Sequence, residues 1–167
     1  MSDPSADDDP FPDLAHDHAR CVTSALARAE QLCLARGANL TGLRRQVLAL
    51  VWEVHRPVGA YDLIERMSTG QRRVAPATVY RALDFLREQG LVHRIDSLNA
   101  FVGCASPGRG HEAQFLICRS CRNVAEISDP DLADVLERAA ARAGFRLEQR
   151  TVELSGLCRA CAEGARG

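Results

Sequence analysis

Two cysteine pairs, Cys118-x2-Cys121 and Cys158-x2-Cys161, constrain this chain more than any other feature. A two-residue gap lets both sulfurs of one pair reach a single metal, and four thiolates in a tetrahedron suit Zn(II). The 36 residues between the pairs exceed an ordinary zinc ribbon, so further structure has to lie between them. Ala113–Cys118 and Asn123–Ile127 read as a hairpin about Arg119-Ser120. A helix follows from about Pro130 to Ala143, with Leu132, Val135, Leu136 and Ala139 inward, and then a strand over Phe145–Leu154. Strand, strand, helix, strand makes a small α/β domain whose sheet edge can pair with a second copy. A redox dithiol would need one such pair rather than two.

A second constellation lies just upstream. Leu91–Asp96 and Ala100–Cys104 read as two short strands about the turn Ser97-Leu98-Asn99. Pairing about that turn sets His93 opposite roughly Gly103, so His93 and Cys104 meet at the open end of the hairpin. The open end of the next hairpin carries His111 and Glu126. Each residue alone is an ordinary surface or core side chain. Docking the two ends would make one pocket of two nitrogens, a sulfur and an oxygen. Borderline-soft Zn(II) accepts that set, and the thiolate disfavours hard cations. Four protein ligands leave no position for a catalytic water, which argues for sensing rather than hydrolysis.

The N-terminal half reads as helices. Val22, Ala25, Leu26, Ala29, Leu32 and Cys33 share one face of a helix that Gly37 stops. Cys33 therefore belongs to the core, and Cys21 marks a helix start without an assigned role. Thr41 caps a second helix burying Leu43, Val47, Leu50, Val51 and Val54, which Arg56-Pro57 ends. A short helix spans Ala60–Met67. After the loop 68–75, Pro76 opens a fourth helix that buries Val79, Ala82, Leu83 and Leu86 and stops at Gly90. Its other face shows Thr78, Tyr80, Arg81 and Asp84. Packed helices, a turn, a further helix with a hydroxyl and an Arg near its start, then a hairpin: this is a winged helix-turn-helix. Such a helix fits the major groove, where Arg can be bidentate to guanine. Arg72 and Arg73 would hold phosphates, which position a protein without reading sequence.

Charge supports that division. Residues 1–19 carry six Asp and no Arg, residues 20–100 carry twelve Arg against seven acids, and residues 101–167 carry nine of each. Only the middle segment has the sign of a nucleic-acid surface. The expected organisation is a solvated acidic tail over 1–19 (His16 and His18 included), a winged-helix domain over 20–103, a hinge over 104–112, and a dimerisation and metal-binding domain over 113–167. The fold class is α+β. No apolar run approaches the roughly 18 residues of a membrane span, and the acidic start resembles no signal or transit peptide. The expected location is the cytoplasm, where seven cysteines serve as metal ligands or core thiols rather than disulfides.

The stretches RGANLTGLRRQVLALV, GAYDLIERM and ATVYRALDFLREQGLVHRI, with the paired CxxC motifs, resemble the Fur family of metal-dependent bacterial repressors over about residues 20–162. The likeness is to its zinc-sensing branch, where GAYDLI, TVYRALDFL-EQG-VH, a Cys ending the wing, a single His before the CxxC strand and a Glu after it are typical. The resemblance implies two Zn(II) per subunit. Cys118, Cys121, Cys158 and Cys161 would hold the structural ion, and His93, Cys104, His111 and Glu126 the regulatory one. It implies base contacts from Tyr61 and Arg81. It also implies a homodimer on double-stranded, palindromic operator DNA, repressing zinc-import genes with no small-molecule substrate. The family's His-rich run before the first CxxC is replaced here by GRGHEAQFLIC, which counts against iron. The end at Cys161-AEGARG leads us to expect no His-rich tail site, and Gly42 stands where the family has Pro. The rivals are a sensor of iron, manganese, nickel or peroxide in the same family and, further off, a zinc or redox enzyme.

Overall fold

A computed structural model describes residues 10–11, 18–54, 56–68, 73–108, 113–148 and 150–164. Most of the expected acidic tail therefore lies outside the described residues, and its last two residues, His18 and Ala19, are helical rather than tail. The chain forms two compact units, one built from Asp13–Arg109 and one containing Gly110–Gly167.

The first unit opens with α1 (His18–Ala35), α2 (Gly42–Trp52), strand β1 (Val58–Gly59), α3 (Ala60–Met67) and α4 (Pro76–Glu88). Thr41 caps α2, its side chain accepting from the Arg44 N–H, and Pro76 starts α4 with its ring in the first turn. Val79, Ala82, Leu83 and Leu86 of α4 are buried, as their spacing predicts. They join Ala29 and Cys33 of α1, Val47, Leu48 and Val51 of α2 and Leu63 of α3 in one core. In α2 the expectation needs correction. The helix ends at Trp52, so Val54 falls outside it and is 39% exposed, while Leu48 is fully buried.

Gly90, at φ +65°, turns the chain out of α4, and the Leu91 N–H bonds back to the Leu86 carbonyl. The wing follows as β2 (Val92–Ile95) and β3 (Ala100–Gly103), with β1 pairing on the far side of β3. β1 was not expected from the sequence, since Val58-Gly59 is too short to show a period. The wing register also differs from the expected one. His93 pairs with Val102, not with Gly103. The turn consumes four residues, a 3-10 turn over Asp96–Leu98 followed by Asn99 at φ 47°, where three were expected.

The second unit is a three-stranded sheet in the order β5-β4-β6, where β4 is Gln114–Cys118, β5 Val124–Ile127 and β6 Val152–Gly156. β4 and β5 form the antiparallel hairpin, and β6 runs parallel to β4 after a crossover through α5 (Pro130–Arg142). A short helix, α6 (Arg159–Gly164), ends the unit. The predicted strand Phe145–Leu154 is displaced to Val152–Gly156. β4 offers five residues on that side, and these five use all of them. Asp129 caps α5, accepting from the N–H groups of Asp131 and Leu132. The buried Gln114 amide bonds the Asp129 carbonyl at 2.9 Å. The α5 stripe is less covered than expected: Leu132 and Leu136 are half-buried, Val135 is 48% exposed, and Ala139 is exposed as well. No helix among the described residues is long and apolar enough to cross a membrane.

Candidate metal centres and nucleic-acid face

The parallel pairing of β4 and β6 builds the first centre. Cys118 ends β4 and faces Gly156, which ends β6, so both CxxC segments leave the sheet at the same edge. Arg122 at φ 61° folds the first pair into a knuckle, with its N–H on the Cys118 carbonyl and the Cys118 N–H on the Asn123 carbonyl. The Arg119 N–H reaches across to the Gly156 carbonyl at 2.9 Å. The four sulfurs lie within 4.8 Å of one another. Cys121 Sγ and Cys158 Sγ are 3.8 Å apart. A tetrahedron of about 2.3 Å Zn–S bonds has edges of about 3.8 Å, whereas a disulfide would require about 2.05 Å. The quartet fits zinc.

Its electrostatics agree. Burial alone would raise the Cys118 thiol, but the backbone N–H groups of Cys121, Cys158 and Ser120 donate to its sulfur and hold it down at about 6. Burial pushes Cys121 up. The backbone N–H of Cys161 favours the Cys158 thiolate, yet burial and crowding by the other three sulfurs push it up to about 12. Cys118 thus ionises ahead of Cys121 and Cys158. A bound dication would displace the protons of Cys121 and Cys158 and favour thiolates at the site.

The corrected wing register governs the second set. Side chains alternate along a strand, so His93, its partner Val102 and then Cys104 lie on one face. The expected register would have put Cys104 on the opposite face. The Cys104 N–H bonds the Leu91 carbonyl at 3.0 Å, which extends the ladder by one step. A ring nitrogen of His93 and Cys104 Sγ lie within 4.8 Å, with His93 half-buried and Cys104 fully buried. An imidazole and a thiolate on one rigid hairpin fit two corners of a zinc site. Glu126 sits half-buried on β5 opposite Phe115. His111 lies outside the described residues.

The sequence reading gave no role to Trp52 or Gly103. A glycine ending a strand beside a candidate ligand is the signal that was available, since it marks a close backbone approach.

On the nucleic-acid face, Tyr61 of α3 is 74% exposed, and Tyr80 and Arg81 of α4 are exposed as well. Thr78 is half-buried. Arg81 Nε bonds the Ala77 carbonyl at 3.2 Å, one turn back. Arg73 is exposed and, with Tyr61, Ser68 and Pro76, lines a groove of 870 Å³ at the start of α4. Arg72 lies outside the described residues. Neighbouring charges are paired within the fold: Arg66 with Glu53, and Arg87 with Asp84.

The sequence model of the ferric uptake regulator family matches residues 35–155. The chain is 39% identical over 139 residues to the zinc uptake regulation protein of Escherichia coli K12, covering 83% of this chain and 81% of that protein. Among solved structures, a zinc uptake regulator complexed with zinc and DNA superposes with a TM-score of 0.82 at 37% identity, covering 87% of this chain and 98% of that one. Holo XcZur superposes with a TM-score of 0.77 at 41% identity, covering 84% and 98%.

Proposed function

This chain belongs to the ferric uptake regulator family, and on that premise we propose that it is a zinc-responsive transcriptional repressor, not an enzyme, binding palindromic operator DNA as a dimer to control zinc uptake genes. The observation that carries the choice of metal is the His93–Cys104 pair. A buried thiolate beside an imidazole selects zinc over harder iron(II) or manganese(II). The relatives described as zinc uptake regulators favour the same reading over the iron, manganese, nickel and peroxide alternatives.

We assign two zinc ions to each subunit. Cys118, Cys121, Cys158 and Cys161 hold the structural ion, and His93, Cys104, His111 and Glu126 the regulatory one. Bound zinc supplies a fixed cross-link between side chains and no redox chemistry. Of the regulatory ligands, His93 and Glu126 flank residues 104–112 and Cys104 and His111 lie within them; we take that segment as the hinge between a DNA-binding domain (20–103) and a dimerisation domain (113–167). A chain arrangement that gathers these ligands while presenting α4 to DNA has the higher metal affinity. Filling the site therefore shifts the population toward operator binding. The exposed apolar side chains Val135, Phe145, Leu154 and Leu157 support dimerisation through the second unit. Action on chromosomal DNA places the protein in the cytoplasm.

We assign base contacts to Tyr61, Thr78, Tyr80 and Arg81 and phosphate contacts to Arg72 and Arg73. Arg81→Ala should cost about 1–3 kcal/mol and blur preference at one base position. Arg73→Ala should weaken all sequences alike and flatten the salt dependence. Fluorescence anisotropy on a matched and a mutated operator at several salt concentrations separates the two. Identical behaviour of both variants would remove the groove assignment.

The metal is tested by anisotropy on a palindromic operator from a zinc-uptake promoter, with buffered Zn(II), Fe(II), Mn(II) or Ni(II) and with peroxide as a separate arm. Zinc should restore binding at the lowest free concentration. Restoration by iron or manganese at lower concentrations, or release by peroxide alone, would replace zinc with that signal.

A further inference from the structure

The wing end that carries Cys104 is seated on the only tryptophan of the chain. A Cβ built on Gly103 would lie 2.3 Å from Trp52 Cε2 and 2.4 Å from Nε1, so no side chain larger than hydrogen fits unless the indole moves. Trp52 is the last residue of α2. From α1, Arg28 places its guanidinium carbon 6.0 Å from the Trp52 ring centroid and donates from an NH group to the Ala105 carbonyl at 3.5 Å. Ala25, Leu48, Leu91, Trp52 and Pro107 enclose, with Cys104, a gap too narrow for a water molecule. Cys104 is 1% exposed. The two residues flanking its sulfur in sequence, Gly103 and Ala105, are thus each fixed to a helix of the first unit. Helix α2 in turn buries Val47, Leu48 and Val51 in the same core as Val79, Leu83 and Leu86 of α4.

From this we infer that Trp52, seated on Gly103 with Arg28 beside it, is a positioning residue for the sensor site. It holds the Cys104 thiolate on the His93 face of the wing and so sets the free zinc concentration at which the site fills. The inference rests on the reading of Cys104 as a regulatory ligand. A close-packed indole has no room to relax in one direction without shifting the wing strand. Loss of the ring frees the strand end, and the ligands must then be ordered at the expense of metal affinity. Removing groups that orient metal ligands typically lowers affinity about 10–100-fold.

The test uses the full-length protein with the four-cysteine zinc retained. Zinc affinity at the second site is measured by chelator competition for the parent, Trp52→Ala, Trp52→Phe, Gly103→Ala and Cys104→Ser. The thiolate-to-metal charge-transfer band is recorded with Co(II) at the same site. Trp52→Ala and Gly103→Ala should each weaken zinc about 10–100-fold and alter the Co(II) band, whereas Trp52→Phe should recover most of the affinity. A purely structural tryptophan would lower thermal stability and leave affinity and band unchanged. In the parent, tryptophan emission should move as zinc fills the second site. Should Trp52→Ala fail to fold, Gly103→Ala and the parent's emission decide. Parental zinc affinity in the substituted proteins, or unmoved emission, overturns the inference while Cys104→Ser still loses the second zinc. If Cys104→Ser binds it as the parent does, the assignment of Cys104 as a ligand fails first.

Discussion

Cys118→Ser should abolish the tightly held zinc and collapse the second unit. The sheet β5-β4-β6 is short, and α5 contributes no fully buried residue to cover it. The quartet joins the ends of β4 and β6, which otherwise depend on a single ladder of five residue pairs. Serine keeps the size of the side chain but supplies no thiolate, and three sulfurs leave one corner of the tetrahedron open. Structural zinc in small domains contributes an apparent 10–16 kcal/mol. That is of the same size as the whole stability of a typical domain, about 5–15 kcal/mol. The variant should lose its dimer and the dichroism of β4–β6, while the core of α1–α4, whose buried residues run from Ala29 to Phe101, still unfolds cooperatively. Native mass spectrometry, sedimentation and limited proteolysis read the three effects. Cys158→Ser should match it. A stable, dimeric, zinc-free Cys118→Ser protein would show the quartet to be dispensable.

Cys104→Ser should leave that zinc, the fold and the dimer intact and yet silence the sensor. Serine fits the space of a residue that is 1% exposed, so packing changes little. The loss is of the one soft donor on the wing, which favours zinc over harder ions. The exchangeable zinc should go, and zinc-dependent operator binding with it. His93→Ala should give the same phenotype from the neighbouring strand, because the register places both on one face. A Cys104 that merely packed would cost some stability and leave the curve of operator binding against buffered zinc unshifted. Titration of parent and variant under one zinc buffer separates these outcomes.

Where periodicity and chemistry agreed, the sequence was legible. Pro76, the four buried residues of α4 and the stop at Gly90 follow from a 3.6-residue repeat and two punctuating residues. The cysteine quartet follows from spacing alone. What escaped was set by tertiary partners. The length of β6 is dictated by β4, not by Phe145–Thr151. The position of His93 relative to Cys104 depends on Asp96 leaving the strand for a 3-10 turn that closes at a left-handed Asn99, which adds one residue to the turn and swaps a face. Trp52 reads as any helix-end aromatic until Gly103 is found against it. On α5 only Leu132 and Leu136 of the apolar stripe are half-buried, while Val135 and Ala139 are exposed, because a repeat shows a face but not what covers it.

The parallel pairing of β4 with β6 also has a consequence for biosynthesis. Parallel neighbours cannot form until the crossover between them exists, and here Cys118 pairs with Gly156. The first knuckle, complete at Cys121, is translated 37 residues ahead of Cys158, a lead of about 2–7 s at roughly 5–20 residues per second. Throughout that interval Cys118 and Cys121 lack the two sulfurs that complete the tetrahedron. The four-cysteine site can therefore take up its zinc only once the whole of the second unit has been made.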